Sequence, residues 1–409
     1  MKVVVLGAGP SGLAAAYYLR QRGVDDITVV DRLPTVGGCS RTSFYENIPY
    51  EFGPQIMFTN KDYLRREFER FLTQTPPRTP DGNYNYLLSV DGTLDDLHNF
   101  PITTENILKL PNPAEVIYEL YNTNVHNPDM TNFEAYCLSV LGPTVYRTYV
   151  KGYTEKAWQR PAQSIDTDWV AHRPLRLQRS RSRFEGQWQG HPGDYNPMWR
   201  AMASSTTFVE GDVKVDGDYN YSIDGERIQA DLIISSLPLR QDLEFVNTAL
   251  VYVVLKCDGY AAKSAFTTFP NNYTFARLFE YKQQFHVESE YSLVSFDFPY
   301  LGVAPTDKFI EEATAFCRTV LGREVVETWI DSRQNIYPLS SRENMQRYNR
   351  ALEDIATRNV VPTGRAGMHA YISKDTCLRM GMEIAEHLDD LLQPGAKTSR
   401  LVDIRRDLH

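Results

Sequence analysis

The first chemistry that the sequence offers is phosphate binding by a glycine-rich loop. Gly7, Gly9 and Gly12 form a GxGxxG pattern directly after an apolar, β-branched run at Lys2–Leu6, and a helical pattern follows. Gly7 permits a tight turn, Gly9 lets backbone approach a pyrophosphate, and Gly12 lets the helix pack closely on the strand. The helix N-terminus offers free N–H groups to phosphate oxygens. Asp31 ends a second apolar strand, about 20 residues beyond the loop, where a carboxylate can accept from ribose hydroxyls. These residues predict a dinucleotide site.

The residues after the acid narrow the choice of dinucleotide. Gly37 and Gly38 are followed closely by Arg41 and Thr42, whereas nicotinamide-binding domains usually continue into another helix at this point. A diglycine here resembles the large FAD-binding family of amine oxidases and their relatives. The resemblance implies FAD rather than NAD.

The pattern of elements indicates how this site is built. Apolar runs at 230–238 and 360–364 resemble returning core strands of the FAD domain, while β-branched and aromatic runs at 247–256, 276–282 and 291–298 predict an antiparallel sheet forming a floor over the flavin. The fold class is therefore α/β, with a discontinuous Rossmann-like FAD-binding domain, a helical insertion and an antiparallel β-sheet domain. The expected boundaries are residues 1–85, 195–240 and 335–409 for the FAD-binding domain, 86–150 for the helical domain, and 151–194 with 241–334 for the antiparallel sheet/substrate domain.

Composition excludes several classes of function. The 409-residue chain has 42% hydrophobic residues and a net charge of -9, which argues against general nucleic-acid affinity. No apolar run approaches the length of a membrane span, and a strand beginning at residue 2 leads us to expect no signal peptide. The five cysteines form no CxxC pair and the eight histidines show no metal spacing. We expect a cytoplasmic protein without a metal or a membrane partner.

One stretch is more specific than the nucleotide loop. Lys151–Trp158 reads KGYTEKAW and resembles the KGYTxKxW motif of UDP-galactopyranose mutases, flavoenzymes that interconvert the pyranose and furanose forms of a nucleotide-linked sugar. Further segments resemble that family in order and approximate spacing: Leu175-Arg176, Trp188–Gly190 with Gly193–Asn196, Phe275–Lys282, Tyr337-Pro338, and Gly364-Arg365 with Tyr371.

The resemblance implies a substrate whose pyrophosphate bears about two negative charges, which are costly to bury without fixed cations. Arg176 and Arg277 are candidates to clamp it, because guanidinium matches phosphate oxygens in a bidentate way. The alternative for either is a solvated surface charge, and the apolar strand around Arg277 favours the binding role. Tyr371 completes the candidate catalytic set. The candidate substrate-binding residues, for which core packing is the alternative, are Tyr153, Thr154, Trp158, Trp188, Tyr337 and Asp375. The candidate cofactor-binding residues are Gly7, Gly9, Ser11, Gly12, Asp31, Gly38, Arg41, Pro54, Gln55, Val213 and Arg365.

In the reaction that the resemblance implies, the reduced flavin attacks the anomeric carbon through its N5, so FAD is active when reduced and no side-chain nucleophile is needed. The chain departs from bacterial members at several positions. Gln55 and Phe58 stand where histidines are expected, and Ser373 stands where an aspartate is expected, with Asp375 able to take over. These departures do not change the reaction type that the resemblance implies, but they leave the identity of the sugar and of the nucleotide base undetermined.

The leading interpretation is a mutase that interconverts UDP-galactopyranose and UDP-galactofuranose, or a related hexose linked to UDP or dTDP. One alternative is an amine-oxidase-like FAD oxidoreductase, which would need a hydrophobic channel and no anion clamp. Another is a non-catalytic binding protein on the same fold, as in relatives that chaperone prenylated GTPases. A homodimer is expected from the family resemblance alone.

Overall fold

The computed structural model describes residues 1–71, 86–167, 175, 177, 187–217, 219–393, 397, 400 and 401. Within them the strands are β1 (Lys2–Leu6), β2 (Asp26–Asp31), β3 (Thr42–Tyr45), β4 (Ile48–Glu51), β5 (Met57–Thr59), β6 (Tyr86–Ser89), β7 (Leu97–Asn99), β8 (Trp188–Gly190), β9 (Thr207–Glu210), β10 (Val213–Val215), β11 (Tyr221–Ile223), β12 (Glu226–Arg227), β13 (Leu232–Ser235), β14 (Phe245–Lys256), β15 (Phe266–Thr268), β16 (Arg277–Glu280), β17 (Tyr291–Tyr300), β18 (Val325–Pro338) and β19 (Val360–Pro362).

The helices are α1 (Pro10–Gln21), α2 (Asp62–Phe71), α3 (Thr104–Leu108), α4 (Pro113–Tyr121), α5 (Phe133–Val145), α6 (Gly152–Trp158), α7 (Asn196–Ala203), α8 (Tyr281–Phe285), α9 (Thr306–Thr319), α10 (Arg342–Asp354), α11 (Gly364–Gly367), α12 (Lys374–Glu386) and α13 (Leu388–Leu391). A π-helical segment, Tyr146–Lys151, joins α5 to α6. None of the described helices is long and apolar enough to cross a lipid bilayer.

A five-stranded parallel sheet carries the glycine-rich loop. Its strand order is β19-β13-β1-β2-β9, and β1 lies between β2 and β13 with Val3–Leu6 fully buried. Such continuous apolar runs are typical of parallel strands covered on both faces. The predicted α/β fold class is confirmed, including the return of residues 232–235 and 360–362 to the same sheet.

A second sheet has seven strands. Its order is β18-β14-β17-β16-β15-β6-β7, and all neighbouring pairs are antiparallel except β15 with β6. The long central strands β14 and β17 are almost wholly buried. They pack on one face against α9 through an aromatic cluster that includes Phe275, Phe296 and Phe316.

Two segments differ from the domain boundaries expected from sequence. The strands β6 and β7 lie at the edge of the antiparallel sheet, although residues 86–150 were expected to form a helical domain. The Tyr86 ring stacks on Phe266 with centroids 4.5 Å apart, so this edge gains an aromatic pair from a strand distant in sequence. Likewise, β8 pairs with β5 rather than with the large sheet. Helices α3 to α6 form their own core around residues such as Phe133 and Tyr146.

Candidate functional site

The glycine-rich loop has the shape that phosphate binding requires. Gly7 adopts φ +100°, which disfavours any side chain, and a Cβ at Gly12 would overlap the Gly7 carbonyl oxygen. A Cβ at Gly9, in contrast, would meet no atom within 4 Å. The space over Gly9 is therefore open, next to the N-terminus of α1, and it fits a pyrophosphate approaching the backbone.

The acid at the end of β2 is oriented for a ribose. Asp31 accepts a hydrogen bond from Ala8 N at 2.8 Å through Oδ2 and one from Leu33 N at 3.0 Å through Oδ1. Each oxygen keeps lone-pair capacity for a hydroxyl. Gly38, with φ +54°, packs on this loop, because its Cβ would lie 3.1 Å from Gly9 Cα. The diglycine turn thus packs against one side of the glycine loop.

Three further cofactor candidates make the following contacts. Arg41 donates to the Thr35 hydroxyl. Val213, in β10, packs against the apolar cluster on the outer face of the parallel sheet. Ser11 is buried and contacts the Cys377 thiol of α12.

Helices α1 and α12 are parallel, and the N-terminal ends of both point towards the cofactor region. Ser11 meets Cys377, and a few residues further along both helices Gly381 approaches Ala14 so closely that a Cβ would lie 2.5 Å from the Ala14 carbonyl carbon. Because both residue numbers increase together, the helices run parallel. Both N-termini therefore point to the same side of the sheet, towards the cofactor region, and α12 adds a second positive dipole end there.

Gln55 is held in place by its neighbours. Its Oε1 accepts from Ser40 Oγ at 2.8 Å, its Nε2 donates to Phe52 O at 3.0 Å, and its carbonyl oxygen accepts from the Tyr195 hydroxyl. Its backbone N–H donates to Glu51 Oε2 at 3.1 Å. The Pro54-Gln55 turn is therefore rigid, which suits a wall beside a flat cofactor.

An imidazole that sequence reasoning missed lies behind this turn. His191 Nε2 lies 2.9 Å from Glu51 Oε1, and both side chains are almost fully buried. Because Gly193 N–H donates to His191 Nδ1 at 2.9 Å, the ring proton belongs on Nε2, where the imidazole donates to Glu51. No motif marks His191. The structure thus supplies a histidine close to Gln55 from a different strand end.

The centre of the second half of the site is Arg277 on β16. Its Nε donates to Asp297 Oδ2 at 2.8 Å, and its Nη2 donates to the same oxygen and, at 3.1 Å, to the Tyr337 hydroxyl. Burial would lower the pKa of Arg277, but Asp297, with Tyr153 and Tyr337, holds that pKa well above its ordinary value. The side chain of Arg277 is 20% exposed, and its guanidinium is a fixed cation.

Asp297 is the second residue that sequence reasoning missed. It lies opposite Arg277 in the register of β16 and β17 and is 1% exposed. Its Oδ1 is buried and has no hydrogen-bond partner among the described residues. The available signal was a single carboxylate within the apolar run of β17.

Aromatic rings connect Arg277 to the cofactor half. The rings of Tyr337 and Tyr371 stack with centroids 5.8 Å apart. The Arg365 guanidinium lies 4.7 Å from the Tyr371 ring centroid and donates to Ile372 O at 2.8 Å. Burial raises the pKa of Tyr337, despite Arg277 nearby, so its phenol stays protonated.

The motif helix α6 reaches this cluster from the other side. Tyr153 lies near enough to Arg277 to raise its pKa, and Thr154 is buried. Gly152 permits close packing, because a Cβ there would overlap the Pro270 carbonyl oxygen. Trp158 packs against the helical core.

The structure therefore brings together Tyr153, Arg277, Tyr337, Tyr371 and Arg365, and it places other candidates differently. Trp188 stacks on Phe68 at 6.0 Å in the core beside the parallel sheet. Asp375 accepts from the Ser373 hydroxyl at the start of α12. The prediction for Arg176 falls outside the described residues. No group of three or more metal-ligating side chains occurs in the described part of the chain.

The parallel sheet, the open loop at Gly9 and the oriented Asp31 together define a Rossmann-like dinucleotide-binding domain, and these residues fit FAD. Comparisons with known proteins agree. Residues 5–74 match the family model of an NAD(P)-binding Rossmann-like domain, and residues 148–307 match that of UDP-galactopyranose mutase.

Two curated proteins are similar to part of the chain. A "Probable UDP-galactopyranose mutase" of Klebsiella pneumoniae is 24% identical over 213 residues, which cover 49% of this chain and 52% of that protein. A dTDP-fucopyranose mutase of Escherichia coli is 22% identical over 207 residues, covering 49% of this chain and 53% of that protein. The matches thus span about half the length of these relatives.

Solved structures show the fold over the whole chain. Reduced UDP-galactopyranose mutase superposes with a TM-score of 0.81 at 18% identity, covering 99% of this chain and 98% of that chain. A triple mutant of putrescine oxidase superposes with a TM-score of 0.63 at 15% identity, covering 95% and 98%. With the family-model match, these findings show that the chain is similar to the UDP-galactopyranose mutase family, as a divergent relative, and they support a flavin cofactor.

Proposed function

We propose that this protein is an FAD-dependent mutase that interconverts the pyranose and furanose forms of a nucleotide-linked hexose, without net redox change. UDP-galactopyranose and UDP-galactofuranose are the simplest substrate pair, and a dTDP-linked hexose is the close variant. The observation that carries the proposal is the cluster of Arg277, Asp297, Tyr337 and Tyr371, which Arg365 joins to the cofactor half of the site.

Arg277 is suited to hold a substrate diphosphate. Its Nε and Nη2 are engaged by Asp297 and Tyr337, while its Nη1 has no acceptor among the described residues. That nitrogen carries two N–H donors, and phosphate oxygens accept such charge-assisted bonds well. Asp297 fixes the guanidinium in one orientation. Because Arg365 adds a second cation, the group keeps net positive charge despite Asp297.

The tyrosines line the space between the cation and the cofactor. The Tyr337 hydroxyl accepts from Arg277, so its own proton remains available for a phosphate or sugar oxygen. Its raised pKa keeps that proton on the phenol. Tyr337 and Tyr371 stack on each other, which fixes the positions of both rings beside Arg277 and Arg365.

The chemistry that a bound, reduced flavin supplies in this proposal is a nucleophilic nitrogen, N5, for the anomeric carbon of the sugar. The chain's own residues position the groups. Gly9 and Asp31 would hold the pyrophosphate and ribose of FAD, the rigid Pro54-Gln55 turn would lie beside the ring, and Arg277 would stabilise the negative charge on the departing nucleotide diphosphate.

An amine-oxidase-like oxidoreductase remains the alternative on the fold alone, since putrescine oxidase shares it. An oxidase for a hydrophobic substrate would need an apolar channel at the position of Arg277. The charged Arg277–Asp297 pair in that place favours the mutase.

The test is to load the protein with FAD, reduce it with dithionite and add UDP-galactofuranose, with dTDP-linked and N-acetylated analogues in parallel. We expect chromatography to show the pyranose product from at least one donor with reduced protein and far less with oxidised protein. Arg277→Lys should lower kcat/KM by at least about tenfold, because lysine cannot reproduce the bidentate geometry. Arg318→Lys, at the exposed end of α9, is the matched control. Absence of pyranose from every donor, with flavin bound and reduced, would refute the mutase.

A further inference from the structure

A partly buried cation lies in the cofactor half of the site without an ion-pair partner among the described residues. Lys374 is the first residue of α12, and its ammonium nitrogen lies 4.9 Å from the centre of the Tyr195 ring. Among the described residues it has no hydrogen-bond acceptor and no carboxylate within ion-pair distance. Sequence reasoning assigned it no role.

The groups that face Lys374 leave its charge largely uncompensated. Burial, with a smaller contribution from Arg365, lowers the pKa of Lys374 to about 8 against the opposing influence of Glu51, Cys377 and Asp375. Glu51 is the obvious counter-ion, but its carboxylate is hydrogen-bonded to other groups and lies beyond ion-pair distance of Lys374.

Three hydrogen bonds hold the Glu51 carboxylate against groups other than Lys374. Its Oε1 accepts from Thr42 at 3.1 Å and lies 2.9 Å from His191 Nε2, and its Oε2 accepts from Gln55 N at 3.1 Å. An ammonium placed in such surroundings is costly unless a bound anion completes the site.

The position of Lys374 indicates which anion its ammonium group would bind. The diphosphate of FAD fits the open loop at Gly9 and the N-terminus of α1. Lys374 instead lies against Tyr195, whose hydroxyl donates to the Gln55 carbonyl, so it belongs to the wall where the flavin ring is expected. Oxidised flavin is neutral there, whereas two-electron reduction with uptake of one proton leaves the ring with one negative charge.

We propose that Lys374 is the residue whose ammonium group meets the negative charge of the reduced flavin ring. The identity of the cofactor rests on the proposed function. A cation next to the ring stabilises the reduced form over the oxidised form and so raises the reduction potential. The N-terminal dipole of α12, a 13-residue helix, acts in the same direction. Lys374 would thereby help keep the flavin in the state that the mutase requires.

The test compares Lys374→Met, Lys374→Gln and Lys374→Arg with the wild-type holoprotein. Midpoint potentials are measured by equilibration with a reference dye under anaerobic reduction, and no substrate is present. We expect the Met and Gln variants to lose about tenfold in binding of reduced over oxidised flavin, which lowers the two-electron potential by about 30 mV. The Arg variant should stay near the wild-type potential. Lys308→Met, in the first turn of α9 and exposed, is the matched control and should not change it.

Two further measurements separate this role from binding of a diphosphate. Affinity for oxidised FAD and affinity for UDP are determined by calorimetry on the same variants, and both should change less than threefold. A potential that stays at the wild-type value would overturn the proposal. A tenfold loss of oxidised-FAD affinity would assign Lys374 to the FAD diphosphate instead, and a tenfold loss of UDP affinity would assign it to the substrate; either result overturns it as well.

The outcome is distinguishable from failure of the proposed function. A wild-type protein that binds no FAD would overturn both. Normal mutase turnover with an unchanged potential in Lys374→Met would overturn only the role of Lys374. The cofactor-free variants are also unfolded in urea, and the removal of an uncompensated charge should leave their stability equal to or above that of the wild type.

Discussion

The Lys156 ammonium group donates a hydrogen bond of 2.7 Å to the carbonyl oxygen of Phe269. It also donates to Asn271 O at 3.3 Å and to Phe275 O at 3.2 Å. These carbonyls belong to the turn that leads into Arg277 on β16. The lysine of the KGYTEKAW motif therefore connects α6, which carries Tyr153, to the strand that carries Arg277, the proposed phosphate-binding arginine.

Replacement of Lys156 by methionine should loosen this turn. Hydrogen bonds from a charged donor contribute roughly 1.5–3 kcal/mol, partly offset by the burial that lowers the pKa of Lys156 to about 8. We expect a loss of about 2 kcal/mol in the free energy of unfolding and an approximately tenfold weaker affinity for UDP. Urea denaturation and calorimetry measure the two effects.

Lys151→Met is the matched control within the same motif. Lys151 is 42% exposed and lies 3.8 Å from Glu134, so its loss should change stability by less than about 0.5 kcal/mol. Equal effects of the two substitutions would contradict the connecting role of Lys156.

The Arg277–Asp297 pair should behave as a unit. Arg277→Ala leaves the carboxylate of Asp297, which is 1% exposed, without its cation. Removal of one partner from a buried pair costs about 3–5 kcal/mol. The double variant Arg277→Ala/Asp297→Ala should regain at least about 1 kcal/mol of that loss, because no buried charge then remains uncompensated.

Urea denaturation of the wild type, both single variants and the double variant gives the coupling energy directly. Additive losses would mean that the pair contributes no specific interaction. UDP should bind poorly to every variant that lacks Arg277, whatever its stability.

The nucleotide loop was predictable from sequence because its function depends on residue type at fixed local spacing. Gly7, Gly9, Gly12 and Asp31 lie within one strand–helix–strand unit, so local patterns fix their geometry. Arg277 and Tyr337 were predictable for a different reason, which is that each lies in a segment resembling a known family.

Other site residues could not be predicted because their environment comes from distant parts of the chain. Asp297, Lys374 and His191 are single polar residues without a motif, and only the tertiary fold shows what surrounds them. The same limitation applies to β6, which pairs with a strand about 180 positions away in sequence, as the register of Tyr86 with Phe266 shows.

Two glycines of the loop should separate cofactor binding from folding. A Cβ at Gly9 meets no atom within 4 Å, whereas one at Gly12 would overlap the Gly7 carbonyl oxygen. Gly9→Ala should therefore keep the stability of the cofactor-free protein within about 1 kcal/mol and reduce FAD affinity at least tenfold. Gly12→Ala should destabilise the cofactor-free protein itself by more than about 2 kcal/mol. Flavin fluorescence titration and urea denaturation distinguish the two, and full FAD affinity in Gly9→Ala would contradict the phosphate-binding role.

The stability of the cofactor-free protein should reveal the charge of Lys374 through its dependence on pH. Burial lowers the pKa of Lys374 from 10.5 to about 8, so between these values the unfolded chain binds a proton that the folded chain does not. By linkage, this lysine lowers stability fully below pH 8, and the cost is relieved as the pH rises towards 10.5.

Other groups, including buried cysteines and tyrosines, titrate in the same range, so the informative quantity is the difference between Lys374→Met and the wild type. Below pH 8 the Met variant should be more stable by about 1–2 kcal/mol. That advantage should shrink steadily above pH 8 in urea denaturation series. If the stability advantage of the Met variant is constant from pH 7 to pH 10, other groups compensate the ammonium charge in the folded protein and the prediction is wrong.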